Sequence, residues 1–341
     1  MSACDPEASD FVCPACRRPV ALLQAAYICA HCAREYPILF GIPDFRLLPD
    51  QYLPFEEERA KAARLFDFGA THSFKELVEF YYSITDDVPT KLAPRFMRYV
   101  WEGQSRARAP LEALGPMTEN DRLVDVGCGS GGTLVSAVGG AERVGVDIGL
   151  RWLVIAQKRL SEANVTARLV CGDVEALPFR EGTYSHVIAD DLLDHVRSTE
   201  AAIKGLANQL RSDGKLWISA SNSWWLGPHP ATGIWSAGLM PPALRRHVTR
   251  AVRGVDSLRN VTFVSSASVL NQAQNAGLKV VVARPRSVNI SSSAWPTGPM
   301  RFLVRAYLLM IILPVIRQVL LYAGPAFEAV MIRAGNIEEI V

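Results

Sequence analysis

The stretch at residues 123–147, LVDVGCGSGGTLVSAVGGAERVGVD, constrains the fold more than any other part of the chain. A short apolar run reaches Asp125 and breaks into glycines at 127, 129, 131 and 132. An apolar helical segment follows, and a second strand at 143–146 closes on Asp147. Strand, glycine turn, helix, strand and terminal carboxylate form one nucleotide-binding half of a doubly wound sheet. Gly127 and Gly129 let the backbone come close to a ligand, and the helix that follows directs its free N–H groups toward it. Asp147 stands where a carboxylate accepts both hydroxyls of a ribose.

Two ligand classes share this physics. Gly127, Gly129 and Gly132 satisfy G-x-G-x-x-G, and Asp147 lies twenty residues after Gly127, the spacing of a dinucleotide site. The features that separate the two lie outside the glycines. Asp125 opens D-x-G-C-G-S-G, and GDVEALPF at 172–179 follows a third strand at 167–171. This ordered pair resembles the class I S-adenosylmethionine-dependent methyltransferases over roughly residues 122–222, and the resemblance also accounts for two strands near the end of the chain. A lone glycine fingerprint is the weaker signal, so the dinucleotide reading is set aside. The resemblance implies an α/β fold, a doubly wound, seven-stranded Rossmann-like methyltransferase sheet, with S-adenosyl-L-methionine as cofactor. It implies cofactor contacts from Asp125, Gly127, Cys128, Gly129, Gly131, Asp147, Ile148, Asp173, Val174 and Asp190. The loop at 127–131 would pass under the methionine part, and Asp173 would hold the adenine amino group.

Cys13, Cys16, Cys29 and Cys32 form C-x2-C, twelve residues, C-x2-C. Two such turns present four thiolates to a tetrahedral ion, the pattern of structural Zn2+ sites. A module of about fifty residues is too small to fold securely without a staple. An iron or redox site, or unbound thiols, is the alternative. His31 lies between ligands, but four thiolates already fill the shell. The residues that follow, REYPI at 34–38 and FGIPDF at 40–45, resemble the zinc-ribbon family of methyltransferase activators, here fused in cis. Cys4, Cys128 and Cys171 stand apart from metal. The N-terminus, MSACDPEASD, has no basic stretch leading into an apolar core. With seven cysteines and no such leader, a reducing, cytoplasmic setting is expected.

The chain divides into a zinc ribbon at 1–50, a helical lid at 51–119, a cofactor-binding core at 120–222, a substrate cap at 223–276, and the last two strands with an apolar, basic insertion at 277–341. The lid carries recurring aromatics, among them Phe66, Phe74, Tyr81 and Trp101, punctuated by Pro89 and Pro94. At helical spacing such residues are chiefly core. Further strands are expected at 184–189, 215–220, 278–283 and 327–333, with a turn at Asp213 and Gly214. Helices are expected at 149–163, 200–210 and 269–276. The cap, rich in Trp, Gly and Pro, makes poor regular structure.

The fourth strand ends in ADDLLDHV, with Ser185 where family members often carry an acid. Methyl transfer from a sulfonium is an in-line displacement in which positioning supplies most of the effect. A hydroxyl acceptor also needs a base, and the candidates are His195, Asp191 and His229. No N-P-P-Y or D-P-P-Y tetrapeptide follows the fourth strand, so the chain looks like the small-molecule members rather than those that methylate amino groups. The net charge of +2 conceals a split: residues 241–325 hold eleven Lys and Arg and one acid, Asp256. A solvated basic face is one account of this, and a face that meets an anion is the other. Within that region, residues 306–316 carry no charge, and a bilayer span needs about twenty apolar residues. The segment at 302–323 is then either a buried cover helix or an interfacial helix with Arg301, Arg305 and Arg317 at lipid phosphate. The resulting expectation is a methyltransferase for a small, hydrophobic or lipid-linked anionic acceptor, with peripheral membrane contact through 301–323. An rRNA or tRNA base methyltransferase and a non-catalytic zinc-ribbon interaction protein are the other two readings.

Overall fold

The computed structural model of the chain describes residues 10–86, 88, 91–229, 233–254, 256, 258–287 and 299–335. Cys4, Pro89 and the side chain of Arg301 fall outside the described residues.

Four short strands open the fold: β1 (Ala21–Leu23), β2 (Ala26–Ile28), β3 (Glu35–Leu39) and β4 (Ile42–Pro43). They pair antiparallel in the order β1-β2-β3-β4. The helical segment then breaks into α1 (Phe55–Gly69), α2 (Phe74–Ser83), α3 (Ala93–Trp101), α4 (Gly103–Arg106) and α5 (Arg108–Leu114). Local chemistry sets these starts. Glu56, Glu57 and Glu58 place negative charge in the first turn of α1. Ser73 and Glu76 close a capping box on α2, with the Ser73 N–H donating to the Glu76 carboxylate at 2.8 Å.

The main sheet is built from β5 (Arg122–Val126), α6 (Gly132–Ser136), β6 (Glu142–Asp147), α7 (Leu150–Glu162), β7 (Arg168–Cys171), β8 (Tyr184–Asp190), α8 (Thr199–Gln209) and β9 (Leu210–Ser221). Beyond it come α9 (Pro242–Arg253), α10 (Ser266–Asn275), β10 (Leu278–Pro285), α11 (Pro299–Met310), α12 (Pro314–Ala323) and β11 (Ala326–Arg333). The seven strands lie in the order β10-β11-β9-β8-β5-β6-β7. The chain leaves β5 toward β6 on one side and returns to β8 on the other, which makes the carboxyl end of β5 the switch point where open α/β sheets bind ligands. β5 to β9 are mutually parallel, and β11 runs against both β9 and β10. Central β8 reads YSHVIAD and is buried from Tyr184 through Ala189, as a strand covered on both faces must be.

The fold departs from sequence expectation at three places. The helix after the glycine loop is five residues long, so it offers little dipole to a ligand. β9 begins at Leu210, not after the turn: Leu210 pairs with Tyr184 and Lys215 with His186, so residues 211–214, including Asp213 and Gly214, are accommodated as an irregularity in the ladder. The apolar insertion is a pair of helices broken before Pro314, and among its described side chains only Tyr307 and Leu321 are buried. The buried cover helix is therefore corrected: this segment shields little core. Pro at the first turn of α12 has no N–H to continue α11, which explains the break.

The cysteine module does not stand apart from the sheet. Phe11, Tyr36 and Phe45 are buried in one cluster with Phe179 and Tyr184 of the core. The Phe45 N–H donates to the Cys171 carbonyl at 2.8 Å, and Asp44 bridges parallel to Cys171, so the module continues the sheet beyond β7. Val12 N–H donates to Pro178 O at 2.8 Å, and the Arg17 guanidinium donates to the carbonyls of Leu177 and Phe179 at 2.5 and 2.6 Å.

Candidate functional site

The glycine loop is fastened to the neighbouring strand. Gly127 and Cys128 donate their N–H groups to Val146 O at 2.8 and 3.0 Å, and Gly131 donates to Cys128 O at 2.9 Å. Gly127 has φ +80, and a Cβ there would meet Leu192 Cδ1 at 2.9 Å, so both conformation and space demand glycine. Gly131, at φ +75, caps α6.

Three carboxylates converge on this loop. Asp147, at the end of β6, accepts Gly129 N–H at 2.9 Å on one oxygen and Gly149 N–H at 2.8 Å on the other. Each carboxylate oxygen retains a second lone pair, which leaves capacity for a ribose diol. Burial pushes the Asp147 carboxyl up to about 6, against the pull of the two backbone N–H groups. Asp125 is buried at the end of β5; desolvation, and then the charge of Asp190, push it up to about 7. Asp190, at the end of β8, accepts Ser219 Oγ–H at 2.5 Å. Two poorly solvated carboxylates, Asp125 and Asp147, favour a cation beside the loop, and they would bind one by surrendering protons.

Asp173 and Val174 follow β7 as expected. Asp173 is buried, accepts Glu175 N–H at 3.0 Å, and pairs with Arg197 at 2.8 Å. Arg197 also donates to Pro49 O, so the linker after the cysteine module straps this segment. Ile148 O accepts from Arg46 at 3.0 Å, and Arg46 pairs with Asp44 at 2.7 Å. Buried Arg151, in the first turn of α7, holds both Asp50 and Glu58.

The described residues place two histidines and a carboxyl above the β8 end. Tyr52 OH and His195 Nδ1 are 2.8 Å apart, and Gln51 Nε2 donates to His195 O at 3.0 Å. His195 is exposed. His229 is buried beside Phe263, with ring centroids 5.7 Å apart, and neither of its nitrogens has a partner among the described residues. Burial drives its pKa down to about 4, so the ring is neutral at pH 7. Asp194 is buried, its Oδ1 has no partner among the described residues, and burial with Asp191 nearby pushes it up to about 7. Thr262 N–H donates to Asp194 O at 2.7 Å, which brings the Phe263 segment over this corner.

Asp191 is placed differently from its expectation as a free base. It sits at φ +55 in an ion pair with Arg286, and accepts Tyr99 O–H at 3.1 Å. Arg286 also pairs with Asp190 at 2.8 Å. A carboxylate held by a guanidinium is a poor proton acceptor, so Asp191 is better suited to positioning than to base work. Arg286, Tyr99, Asp194, Tyr52 and Arg197 were not singled out from sequence. Arg286 follows β10, and only the strand order shows that β10 ends near β8; Asp194 stood in plain view in ADDLLDHV.

The four cysteine sulfurs lie within 4.8 Å of one another, with Cys13–Cys32 at 3.6 Å and Cys16–Cys29 at 3.5 Å. Tetrahedral Zn–S bonds of about 2.3 Å place sulfurs about 3.8 Å apart, so the donor set fits a zinc ion. Tyr36 OH lies 3.0 Å from Cys13 Sγ, an outer hydrogen bond of the kind that orients metal ligands. No histidine or carboxylate joins the cluster among the described residues.

Residues 124–218 match the family described as Methyltransferase domain. A ubiquinone biosynthesis O-methyltransferase of Idiomarina loihiensis is 30% identical over 133 residues, covering 37% of this chain and 54% of that one. The biotin biosynthesis bifunctional protein BioHC of Cellvibrio japonicus is 28% identical over 171 residues, covering 50% of this chain and 30% of the relative. The chain thus spans about half or less of the curated relatives it matches. A solved geranyl diphosphate C-methyltransferase from Streptomyces coelicolor superposes with a TM-score of 0.47 and 16% identity, covering 67% of this chain and 80% of that one.

Proposed function

We propose that this chain is an S-adenosylmethionine-dependent methyltransferase acting on a small, hydrophobic or lipid-linked anionic acceptor, with a structural zinc ion held by Cys13, Cys16, Cys29 and Cys32. The observation that carries the reading is the switch-point loop, where glycines at positive φ meet Asp147 and where Asp125 is buried at the end of β5, inside a matched methyltransferase domain. Buried carboxylates suit a sulfonium and an α-ammonium, whereas the phosphates of a dinucleotide would be repelled. Bound there, S-adenosylmethionine supplies the methyl group for an in-line displacement. Asp147 holds the ribose and Asp173 the adenine amino group. The glycine loop admits the amino-acid portion.

The acceptor approaches over the carboxyl ends of β5 and β8, beneath the segments at 223–229 and 258–264. His229 offers an acceptor hydroxyl two ring nitrogens without partners among the described residues, but burial, which drives its pKa down to about 4, makes it a weak base, so it serves as a hydrogen-bonding and positioning group. The relative named for ubiquinone biosynthesis supports a small-molecule acceptor. The excess of Lys and Arg over residues 241–325 supports an anionic one.

Titration calorimetry with S-adenosylmethionine and with NAD tests the cofactor. Binding of the sulfonium cofactor alone is expected, and binding of NAD alone would sink the reading. Asp147→Ala should weaken cofactor binding by about 1.5–3 kcal/mol, the worth of a charge-assisted hydrogen bond to a buried group. His229→Ala should leave cofactor affinity intact and slow turnover by about tenfold, the worth of one hydrogen bond to the acceptor.

A further inference from the structure

Among the described side chains of α11, α12 and the turn between them, several apolar ones from 309 to 319 stand in water. Leu309, Ile312 and Val315 are 68, 69 and 78% exposed, and Met310, Leu313 and Val319 are exposed as well. Scattered exposed leucines need no explanation, but a contiguous apolar turn does. Charge flanks the turn on both sides: Arg305 and Arg317 are exposed and bracket the uncharged residues 306–316. From residue 260 to 325 the chain has six Lys and Arg and no Asp or Glu.

We propose that the α11–α12 hairpin is a monotopic wedge that seats this chain on an anionic lipid surface. The charge pattern chooses the occupant. An apolar tip with cations at its base matches a bilayer, where leucines enter the acyl boundary while arginines stay at the phosphates. At 1.5 Å per residue the twelve residues of α11 reach only about 18 Å, against a hydrocarbon core of about 30 Å. Among the described residues no helix is long and apolar enough to cross a membrane, so the hairpin enters one leaflet.

The base of the wedge is tied to the reacting edge. Tyr307 donates its O–H to the Arg286 carbonyl at 2.8 Å, and the Arg286 side chain pairs with Asp190 and Asp191 at the end of β8. Asn222, just past β9, donates to the carbonyls of Leu321 and Tyr322 at 3.3 and 2.8 Å. Its Oδ1 accepts the N–H of Trp224, whose side chain is also exposed. These hydrogen bonds join the two helices to the carboxyl edge of the sheet. An open groove of about 1320 Å³ beside the tip is lined by Ile311, Ile312 and Arg317 together with Val282, Glu112 and Glu328.

The test is flotation of the full chain with phosphatidylcholine vesicles and with mixed phosphatidylcholine and phosphatidylglycerol vesicles. Wild type should float with the anionic mixture. Arg305→Gln with Arg317→Gln should weaken that binding by about 30-fold, at roughly fivefold per cation near an anionic surface. Arg305→Lys with Arg317→Lys should restore it. Ile312→Asp with Leu313→Asp should abolish flotation while S-adenosylmethionine titration of the same preparation is unchanged. Ile312→Asn with Leu313→Asn provides the same readout without added charge. Wild type that fails to float with anionic vesicles, or floats equally well with both pairs changed, overturns the proposal. So does a dimer by sedimentation velocity that the tip variants split, because the tip would then cover a second copy.

Discussion

The two edges of the main sheet are finished in opposite ways. Beyond β7 the cysteine module adds a strand-like bridge and buries Phe11, Tyr36 and Phe45 at 1–3% exposure. Beyond β9, strands β11 and β10 end the sheet, and the hairpin between them buries only Tyr307 and Leu321 among its described side chains. Both additions are small and rich in apolar residues. One spends them on the core of the chain and the other keeps them in water. The charge divides along the same line: residues 241–325 carry the basic excess, while the buried acids Asp44, Asp125 and Asp173 lie on or beside the strands of the other half. On the function proposed above, a cationic cofactor would lie in one half and an anionic acceptor would meet the other, with β5 and β8 between them.

The comparison breaks most readily at the module. Phe45 is 1% exposed, with ring centroids 4.9 Å from Phe11, 5.0 Å from Tyr36 and 5.3 Å from Tyr27. Phe45→Ala should cost about 3–5 kcal/mol, the usual range for an aromatic truncated in a core. Zinc removal by a chelator should do at least as much, because metal affinity in so small a module is folding free energy. Calorimetry should show one transition that falls in temperature with both treatments. Two separate transitions, with the sheet melting as before, would show the module to be a passenger on the β7 edge.

How much of this could be read in advance differs between the halves. The placement of the glycine loop, Asp125, Asp147 and the four cysteines was legible because it rests on local spacing: a turn, a strand end, two paired cysteine turns. The docking of Phe11 against Phe179 was not, since it depends on residues 168 positions apart meeting in the fold. Arg286 was hidden for the same reason. The hairpin was read as one helix, either buried or interfacial. Its hydropathy was plain, but whether apolar residues face core or water is a tertiary fact that composition does not hold.

An intermediate effect tests the acid half from the inside. Unfolded aspartates titrate near 4, while burial holds Asp147 at about 6 and Asp125 at about 7 in the folded, ligand-free chain. The folded state thus binds more protons than the unfolded state between those limits. The stability these two groups contribute is fully present below about 4 and is lost as pH rises through 6 and then 7. A sulfonium ligand prefers both carboxylates ionised, so its affinity should run the other way and rise with pH across the same window. From Asp147 alone, binding at about pH 5 should be roughly tenfold weaker than at about pH 8. Calorimetric affinities that do not change over this range would mean that these carboxylates do not face the cation.

The smallest effect is expected at the hairpin tip, and its smallness is the point. If the tip were part of the core, polar replacement would cost what core truncation costs, some 2–5 kcal/mol for a Leu-sized side chain. Val315 and Leu313 are exposed, so nothing packs around them to be lost. Val315→Ser with Leu313→Gln should therefore change unfolding free energy by no more than about 0.5 kcal/mol, the range of ordinary surface substitutions. Denaturant unfolding measures this directly, provided the slope against denaturant is unchanged. Placed beside Phe45→Ala, the result separates the two edges by a factor of about six or more in energy for the removal of similar apolar matter. A loss of 2 kcal/mol or more at the tip would mean that the hairpin closes onto the sheet in solution, and the contrast between a buried edge and an open one would fail.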